Sequence, residues 1–412
     1  MASRQVIVRL ARIGVAHPKE RRPIRVLHFI SEPRSWHFFD DQPAFLNSVG
    51  YEFVAVSSPG PLLHQFAKNN NVTACQVPIV RSIAPWRDIV SVCRLVRVLR
   101  KQRPDILHAH FSKPGIVGMI AGYLARVPVR IYHNHGMALS SARGWQKPVL
   151  WVVERTACAL AHRVVYVAPS VRRDAIRLRV CHPDKAQVIL SANGLDTSAR
   201  FAKHIYKPDS REQLRKSWDI PPGAFVVGFV GRILKIKGIE ELLRAWQLLA
   251  EHEPRLHLLF VGESDPREPI SDWALALMKS EPKIHLAGFV KEPARLYLAM
   301  DAVVLPSYHE GLGYSLVEAS AMELPVIGSR IPGIVDAIQD NVTGLLVETG
   351  DPEGLAEAIR RYLRDPILLR RHGTAGREYV VTNFQRSMVF DSIRRTYDEL
   401  IATHCHRILK RT

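Results

Sequence analysis

Short apolar stretches of four to eight residues alternate with helical segments along almost the whole chain, and the alternation occurs twice. The first series is IRVLHFI (24–30), YEFVAVS (51–57), DILHAH (105–110), VRIYHNH (129–135), RVVYVA (163–168) and QVIL (187–190), with helical segments between, such as 86–102, 115–126 and 148–161. A polar stretch at 193–222 follows. The pattern then restarts with AFVVGFVG (224–231), LHLLFVG (256–262), KIHLAG (283–288), AVVLP (302–306), PVIGS (325–329) and TGLLVE (343–348). Strands separated by helices form βαβ units, and those form parallel sheets. Two series in 412 residues predict two doubly wound α/β domains, each with its own core. Such sheets bind ligands beyond the carboxyl ends of their strands, so the cleft between the domains is the expected site. The divisions predicted are an extension at 1–23, a first domain at 24–200, a second at 201–384, and a tail at 385–412, helical to about 408, that packs back on the first domain.

Charge separates the two halves. The net charge is +18, and residues 1–200 carry 29 lysines and arginines against 11 acids, whereas residues 201–412 carry 28 of each. All of the excess lies in the first half, which suggests that this half faces something anionic. No apolar run is long enough to cross a bilayer. The N-terminal MASRQVIVRLARIGVAHPKERRP lacks a continuous apolar core and a small-residue cleavage site, and reads as a disordered or surface extension in preference to a membrane-touching amphipathic piece. Cysteines at 75, 93, 158, 181 and 405 form no CxxC pair, which fits a reducing compartment and no structural zinc.

Two segments of the second half carry chemistry. GRILKIKG (231–238) follows a strand and precedes the helix IEELLRAWQLL. Its glycine lets a ligand approach the backbone. Arg232 and Lys237 then offer a fork and a compact charge for phosphate oxygens, although two solvated loop cations would look the same. The second segment, PSYHEGLGYSLVEASAMELPVIGS (306–329), follows the strand AVVLP. Gly311 and Gly313 permit a tight turn, and the helix that starts near Tyr314 points its N-terminus at the cleft, a seat for phosphate. Glu310 precedes that helix and Glu318 lies about one turn inside it, leaning back toward its start. Both carboxylates can accept hydrogen bonds from sugar or ribose hydroxyls. Helix-dipole preference alone accounts for Glu318, but poorly for the whole Glu-Gly-x-Gly turn.

EGLGYSLVEASAMELPVI, with its two glutamates, closely resembles the signature of the retaining family-4 glycosyltransferases of the GT-B fold. GRILKIKG resembles their phosphate-binding segment, and IPGIVDAIQDNVTGLLV (331–347) the stretch that follows the signature. RPDILHAHFSKPGIVGMIAGYLARVPVRIYHNHG (103–136) resembles their acceptor-domain region, and ILSANGLDTSARF (189–201) the link between domains. The likeness runs in order over roughly residues 24–400. It implies two Rossmann-like domains facing across a cleft, and a nucleotide-sugar donor, UDP-linked in the first instance. Arg232 and Lys237 would neutralise the donor diphosphate. Glu310 would hold the sugar hydroxyls and Glu318 the ribose. The Gly311, Leu312, Gly313, Tyr314, Ser315 and Leu316 backbone would cap sugar and phosphates, and Phe289 and Val290 would cover the base. His110 matches a histidine that meets the donor sugar from the acceptor domain. The catalytic set implied is Glu310, His110, Arg232 and Lys237, with Lys113, His135 and Arg81 on the acceptor side. No metal and no cofactor is required, since protein cations stabilise the leaving diphosphate. Departures from the family pattern are Glu323 where many relatives have glycine, Pro332, Gly333 and Asp336 where they often have Gly-Gly and a glutamate, and the loop SEPRSWHFFDDQ (31–42) in place of a Gly-Gly loop.

That loop, with SSPG (57–60), VPIVRSIAPWRDI (77–89) and HFSKPG (110–115), looks like a narrower bacterial group that extends lipid-linked oligosaccharides for capsule, O-antigen or glycoprotein glycans. The implied acceptor is a polyprenyl-diphosphate-linked saccharide. APWRDIVSVCRLVRVLRKQRP (84–104) fits this reading: Val90, Cys93, Val96, Val98 and Leu99 are expected to be buried, while Arg87, Arg94, Arg97 and Lys101 lie on another face near Trp86. Cations beside a tryptophan suit an anionic phospholipid surface, here the cytoplasmic face of the membrane. WQKPVLWVVER (145–155) adds to that face. An ordinary amphipathic helix in an arginine-rich surface would share these features. The alternatives are a nucleotide-sugar epimerase or phosphorylase of similar fold, a catalytically silent nucleotide-sugar-binding protein, and a nucleic-acid-binding protein. The last lacks a zinc finger, an RNP motif and an evident helix-turn-helix, so nucleic acid is not expected as a partner.

Overall fold

A computed structural model describes residues 22–80, 84–140, 142, 144–191, 193–207, 209–265, 268–290 and 292–404. The extension at 1–21, Arg81 and the tail beyond residue 404 lie outside the described residues.

Among the described residues, thirteen strands form two parallel sheets. The first holds β1 (Ile24–Phe29), β2 (Tyr51–Ser57), β3 (Thr73–Gln76), β4 (Ile106–His110), β5 (Val129–Asn134), β6 (Arg163–Tyr166) and β7 (Ala186–Val188) in the order β3-β2-β1-β4-β5-β6-β7. The second holds β8 (Phe225–Val230), β9 (Leu256–Val261), β10 (Ile284–Leu286), β11 (Ala302–Leu305), β12 (Val326–Ser329) and β13 (Gly344–Val347) in the order β10-β9-β8-β11-β12-β13. All pairings between these strands are parallel. The twelve anticipated apolar stretches are twelve of these strands. The thirteenth, β3, is a four-residue edge strand with no fully buried residue, so its TACQ carries little apolar signal.

Strand order reverses between β1 and β4 in one sheet and between β8 and β11 in the other. The loops leaving adjacent strands there run to opposite sides and open a crevice. In the second sheet those loops are GRILKIKG and the stretch from Pro306 to Gly313. In the first they are the 31–42 loop and the turn after His110. Sequence chemistry and topology therefore coincide. The 31–42 loop forms a short 3-10 helix, Pro33–Phe39, whose Trp36 and Phe39 are buried. Phe39 meets the His110 ring edge-on, with centroids 4.8 Å apart.

The helix Arg386–His404 lies on the first sheet. Val389, Phe390, Ile393, Tyr397 and Leu400 join the core cluster of Val26, Phe53, Ile106 and Ile131. Tyr51 Oη donates to Asp398 at 2.5 Å.

The Pro85–Gln102 helix corrects one expectation. Its buried residues are Ser91, Leu95, Val96 and Leu99, whereas Val90 and Cys93 are exposed and Val98 is half-buried. The buried stripe follows positions 91, 95 and 99, so the helix is rotated from the face expected. Trp86 (83% exposed), Ile89 and Val90 consequently stand on the surface beside Arg87, Arg94 and Arg97.

Candidate active site

The two switch-point loops of the second sheet are stitched together. Ile236 O accepts from Tyr308 N at 2.9 Å and from Ser307 Oγ at 3.1 Å. Gly238 has φ +71°, and a Cβ there would fall 2.0 Å from Pro306 O, so only glycine lets the loops close. Their packing brings Lys237 to Glu310: Nζ stands 2.5 Å from Oε1. Arg232 is more open and pairs with Asp265, Nη1 to Oδ2 at 3.5 Å.

Gly313 has φ +72° and caps the helix Tyr314–Ala321. The first-turn amides of Tyr314 and Ser315 have no backbone acceptor among the described residues, as at any helix start. The expected row of free amides is shorter than predicted, because Leu316 N already donates to Gly313 O at 2.9 Å. Leu312 and Leu316 are themselves buried. Glu318 accepts from Tyr297 Oη at 2.7 Å, and burial pushes its carboxyl up to about 7. Phe289 projects into solvent at 67% exposure, while Val290 is half-buried against the core, both in the loop that follows β10.

The first sheet meets this turn directly. A Cβ on Gly311 would lie 2.1 Å from His135 O, and Gly136 and Gly333 press on the same residue. Ser170, at the start of the helix Pro169–Arg177, spans the divide. Its N donates to Asp336 Oδ2 at 2.9 Å, its Oγ donates to the same oxygen, and Gly333 N donates to that Oγ at 2.7 Å. Tyr314 Oη donates to Gly194 O at 2.5 Å. The segments around Gly333 and Asp336, where the chain departs from the family pattern, thus hold the two halves together. Ser170 was not anticipated; its PS dipeptide before a helix was the available signal.

His110 is buried and His135 half-buried, with His110 Nδ1 and His135 Nε2 3.1 Å apart. Lys113 stands at the start of the helix Ser112–Leu124 and is paired with Asp88 at 2.5 Å, so its charge is already matched by an acid. Among the described residues, two trios bring ligand-capable nitrogens within 4.8 Å: His28, His108 and His110, and His110, His133 and His135. Sequence reading singled out two of these five rings. The others alternate along β1, β4 and β5 on one face, a pattern that was present in HFI, HAH and HNH.

Two parallel-sheet α/β domains facing each other at their switch points have the GT-B architecture. The Glycosyl transferases group 1 family matches residues 210–379, and the Glycosyl transferase 4-like domain matches residues 45–192. The chain is 27% identical over 379 residues to the capsular polysaccharide biosynthesis glycosyltransferase CapM of Staphylococcus aureus, covering 92% of this chain and 97% of that one. It is 28% identical over 346 residues to the UDP-Gal:alpha-D-GlcNAc-diphosphoundecaprenol alpha-1,3-galactosyltransferase of Escherichia coli, covering 83% and 87%. Its fold matches that of Anabaena Alr3699/HepE, solved with UDP and glucose, with a TM-score of 0.75 at 20% identity, over 91% of this chain and 99% of that one. The chain belongs to family 4 of the glycosyltransferases, retaining enzymes that use nucleotide-sugar donors.

Proposed function

We propose that this enzyme transfers a hexose from a UDP-linked donor to a polyprenyl-diphosphate-linked saccharide during bacterial surface-polysaccharide synthesis. The observation that carries the reading is the convergence of Lys237, Glu310 and the Gly313-capped helix start at one switch point, with Glu318 a turn deeper. A diphosphate laid there meets Lys237 and Arg232. The sugar extends toward Glu310 and the ribose toward Glu318, with Phe289 and Val290 near the base. As the sugar–phosphate bond breaks, charge grows on the diphosphate, and Lys237 and the helix start stabilise it. Attack from the face that the leaving group vacates, with the phosphate taking the acceptor proton, accounts for retention. His110 and His135 close the sugar side from the first sheet. The S. aureus and E. coli relatives act in capsule synthesis and on a diphosphoundecaprenol-linked sugar, which supports the acceptor class.

The exposed face of the first half fits a lipid-borne acceptor. Helices that follow parallel strands start at the carboxyl edge of the sheet. Trp86 and Trp145 stand at two such starts, with Ile89, Val90, Val149 and Val152 exposed behind them and Arg87, Arg94, Arg97 and Lys147 alongside. Tryptophan, aliphatic groups and cations together suit an anionic bilayer surface at the rim of the cleft. Among the described residues no helix is long and apolar enough to cross a membrane.

Calorimetric titration with UDP, ADP and GDP tests the donor side. UDP is expected to bind at least tenfold more tightly than the other two; equal or reversed preference contradicts the proposed donor.

A further inference from the structure

Five histidines and one tyrosine form a single unbranched chain behind the sugar side of the cleft. His135 Nε2 lies 3.1 Å from His110 Nδ1, and His110 Nε2 lies 3.0 Å from His28 Nδ1. His28 Nε2 lies 3.2 Å from Tyr397 Oη, which lies 2.6 Å from His108 Nδ1. His108 Nε2 ends the chain 3.2 Å from His133 Nδ1, and His133 Nε2 is buried with no partner among the described residues. Four of the rings are buried, and only His135 keeps open surface, beside Gly136 where the first half meets Gly311.

These contacts are hydrogen bonds rather than the ligand set of a metal ion. His28–His110 and His110–His135 centroids are 5.1 and 5.3 Å apart. Those separations equal the N···N distance plus about 1.1 Å of ring on each side, so each nitrogen points straight at the next. Ligands of one ion would converge on a point off that line. Burial holds all five imidazoles neutral at physiological pH. A neutral imidazole has one N–H and one lone pair.

Six groups, each with one proton, then share five contacts. If every contact holds one proton and the phenol proton is used, all five rings must be the same tautomer: every proton on Nε2, or every proton on Nδ1. The mixed case, with both neighbours donating to Tyr397, strands the phenol proton. Either way His133 Nε2 has no partner among the described residues, as an N–H in the first pattern and a lone pair in the second, and the Tyr397 distances decide between the two. The 2.6 Å contact is shorter than N–H···O bonds run and fits O–H donation to His108, whereas 3.2 Å fits N–H donation from His28.

We propose that Tyr397 locks His28, His108, His110, His133 and His135 together as Nε2–H tautomers, so that His135 shows the cleft a lone pair on Nδ1. A ring that can only accept selects a hydroxyl, and the burial of its neighbours opposes its becoming a cation. Tyr397 is then a positioning residue, acting on the sugar side from the C-terminal helix without touching substrate. The tautomer pattern stands apart from the function proposed above; its consequence for turnover rests on that reading.

Nitrogen-15 NMR of the imidazoles in the full chain tests the pattern. Five Nε2–H rings are expected, unchanged by one equivalent of Zn²⁺. An Nδ1–H signature at any of the five, or Zn²⁺ uptake with loss of the pattern, overturns the lock. Tyr397→Phe keeps the ring and removes the phenol. It is expected to give Nδ1–H population at His28, His110 and His135 and to lower kcat three- to tenfold, with UDP affinity unchanged. A variant with wild-type tautomers and wild-type kcat overturns the positioning role.

Discussion

Lys237 Nζ stands 2.5 Å from Glu310 Oε1, and the two side chains are only 18% and 13% exposed. The cation assigned to the diphosphate and the carboxylate assigned to the sugar are thus in direct contact. A donor has to slip between them or share them. The pair also keeps each charge from being half-buried alone, a situation that costs several kcal/mol when one partner is removed.

Lys237→Ala is expected to lower kcat about 10²–10³-fold, the size of a lost transition-state donor. It should also destabilise the protein, because Glu310 is left unpaired. Adding Glu310→Gln should recover most of that stability and none of the activity. A double-mutant cycle on melting temperature and kcat measures both. Additive stability effects would mean that the pair is not coupled.

Glu318 carries a stability cost. Burial raises its carboxyl from 4.5 to about 7 in the folded protein. A raised acid binds more protons folded than unfolded, so stability falls as pH rises from about 4.5 to about 7 and stays low above. Glu318→Gln should therefore stabilise the protein at pH 8 by about 1–2 kcal/mol, allowing for the half-buried position of the residue, and change little at pH 4. UDP affinity should fall about tenfold at pH 8, where the charged acceptor for the ribose is lost, and change less at pH 4, where the carboxyl is already neutral. Calorimetry at both pH values, with UDP titration, checks the two signs.

Much of this was legible beforehand, and particular residues show why. The strands read correctly because a doubly covered parallel strand is a near-continuous apolar run. Lys237, Glu310 and Glu318 could be singled out in the sequence because turn glycines and a helix start mark them locally. Glu323 was noted as a departure from glycine, and its φ of +59° shows that the position is left-handed. The pairing of Lys237 with Glu310, of Ser170 with Asp336 and of Tyr397 with two histidines spans 73, 166 and up to 369 residues, and no local pattern encodes such contacts. The rotation of the Pro85–Gln102 helix was missed because a helix with valines around much of its girth has no single apolar stripe.

Gly311→Ala tests how closely the halves must meet. Its new Cβ would lie 2.1 Å from His135 O, which is backbone and cannot swing aside. Activity should fall at least about 10²-fold as the turn shifts from the sugar side. UDP binding should fall much less, and circular dichroism should not change. Normal turnover would show that the contact is dispensable.

Arg94→Glu together with Arg97→Glu should release the protein from phosphatidylglycerol-containing vesicles. With about 1 kcal/mol per cation near such a surface, removing and reversing two charges predicts at least a 30-fold loss in partitioning. UDP affinity should remain that of the wild type. Undiminished vesicle sedimentation would place the membrane face elsewhere.

The most direct test is transfer itself: a UDP-hexose panel incubated with a polyprenyl-diphosphate-linked saccharide, with product mass and anomeric configuration read by mass spectrometry and NMR. The prediction is one added hexose in the donor's own α configuration, formed by the wild type and lost in Lys237→Ala. Inverted configuration, or release of free hexose with no glycolipid product, would contradict the account.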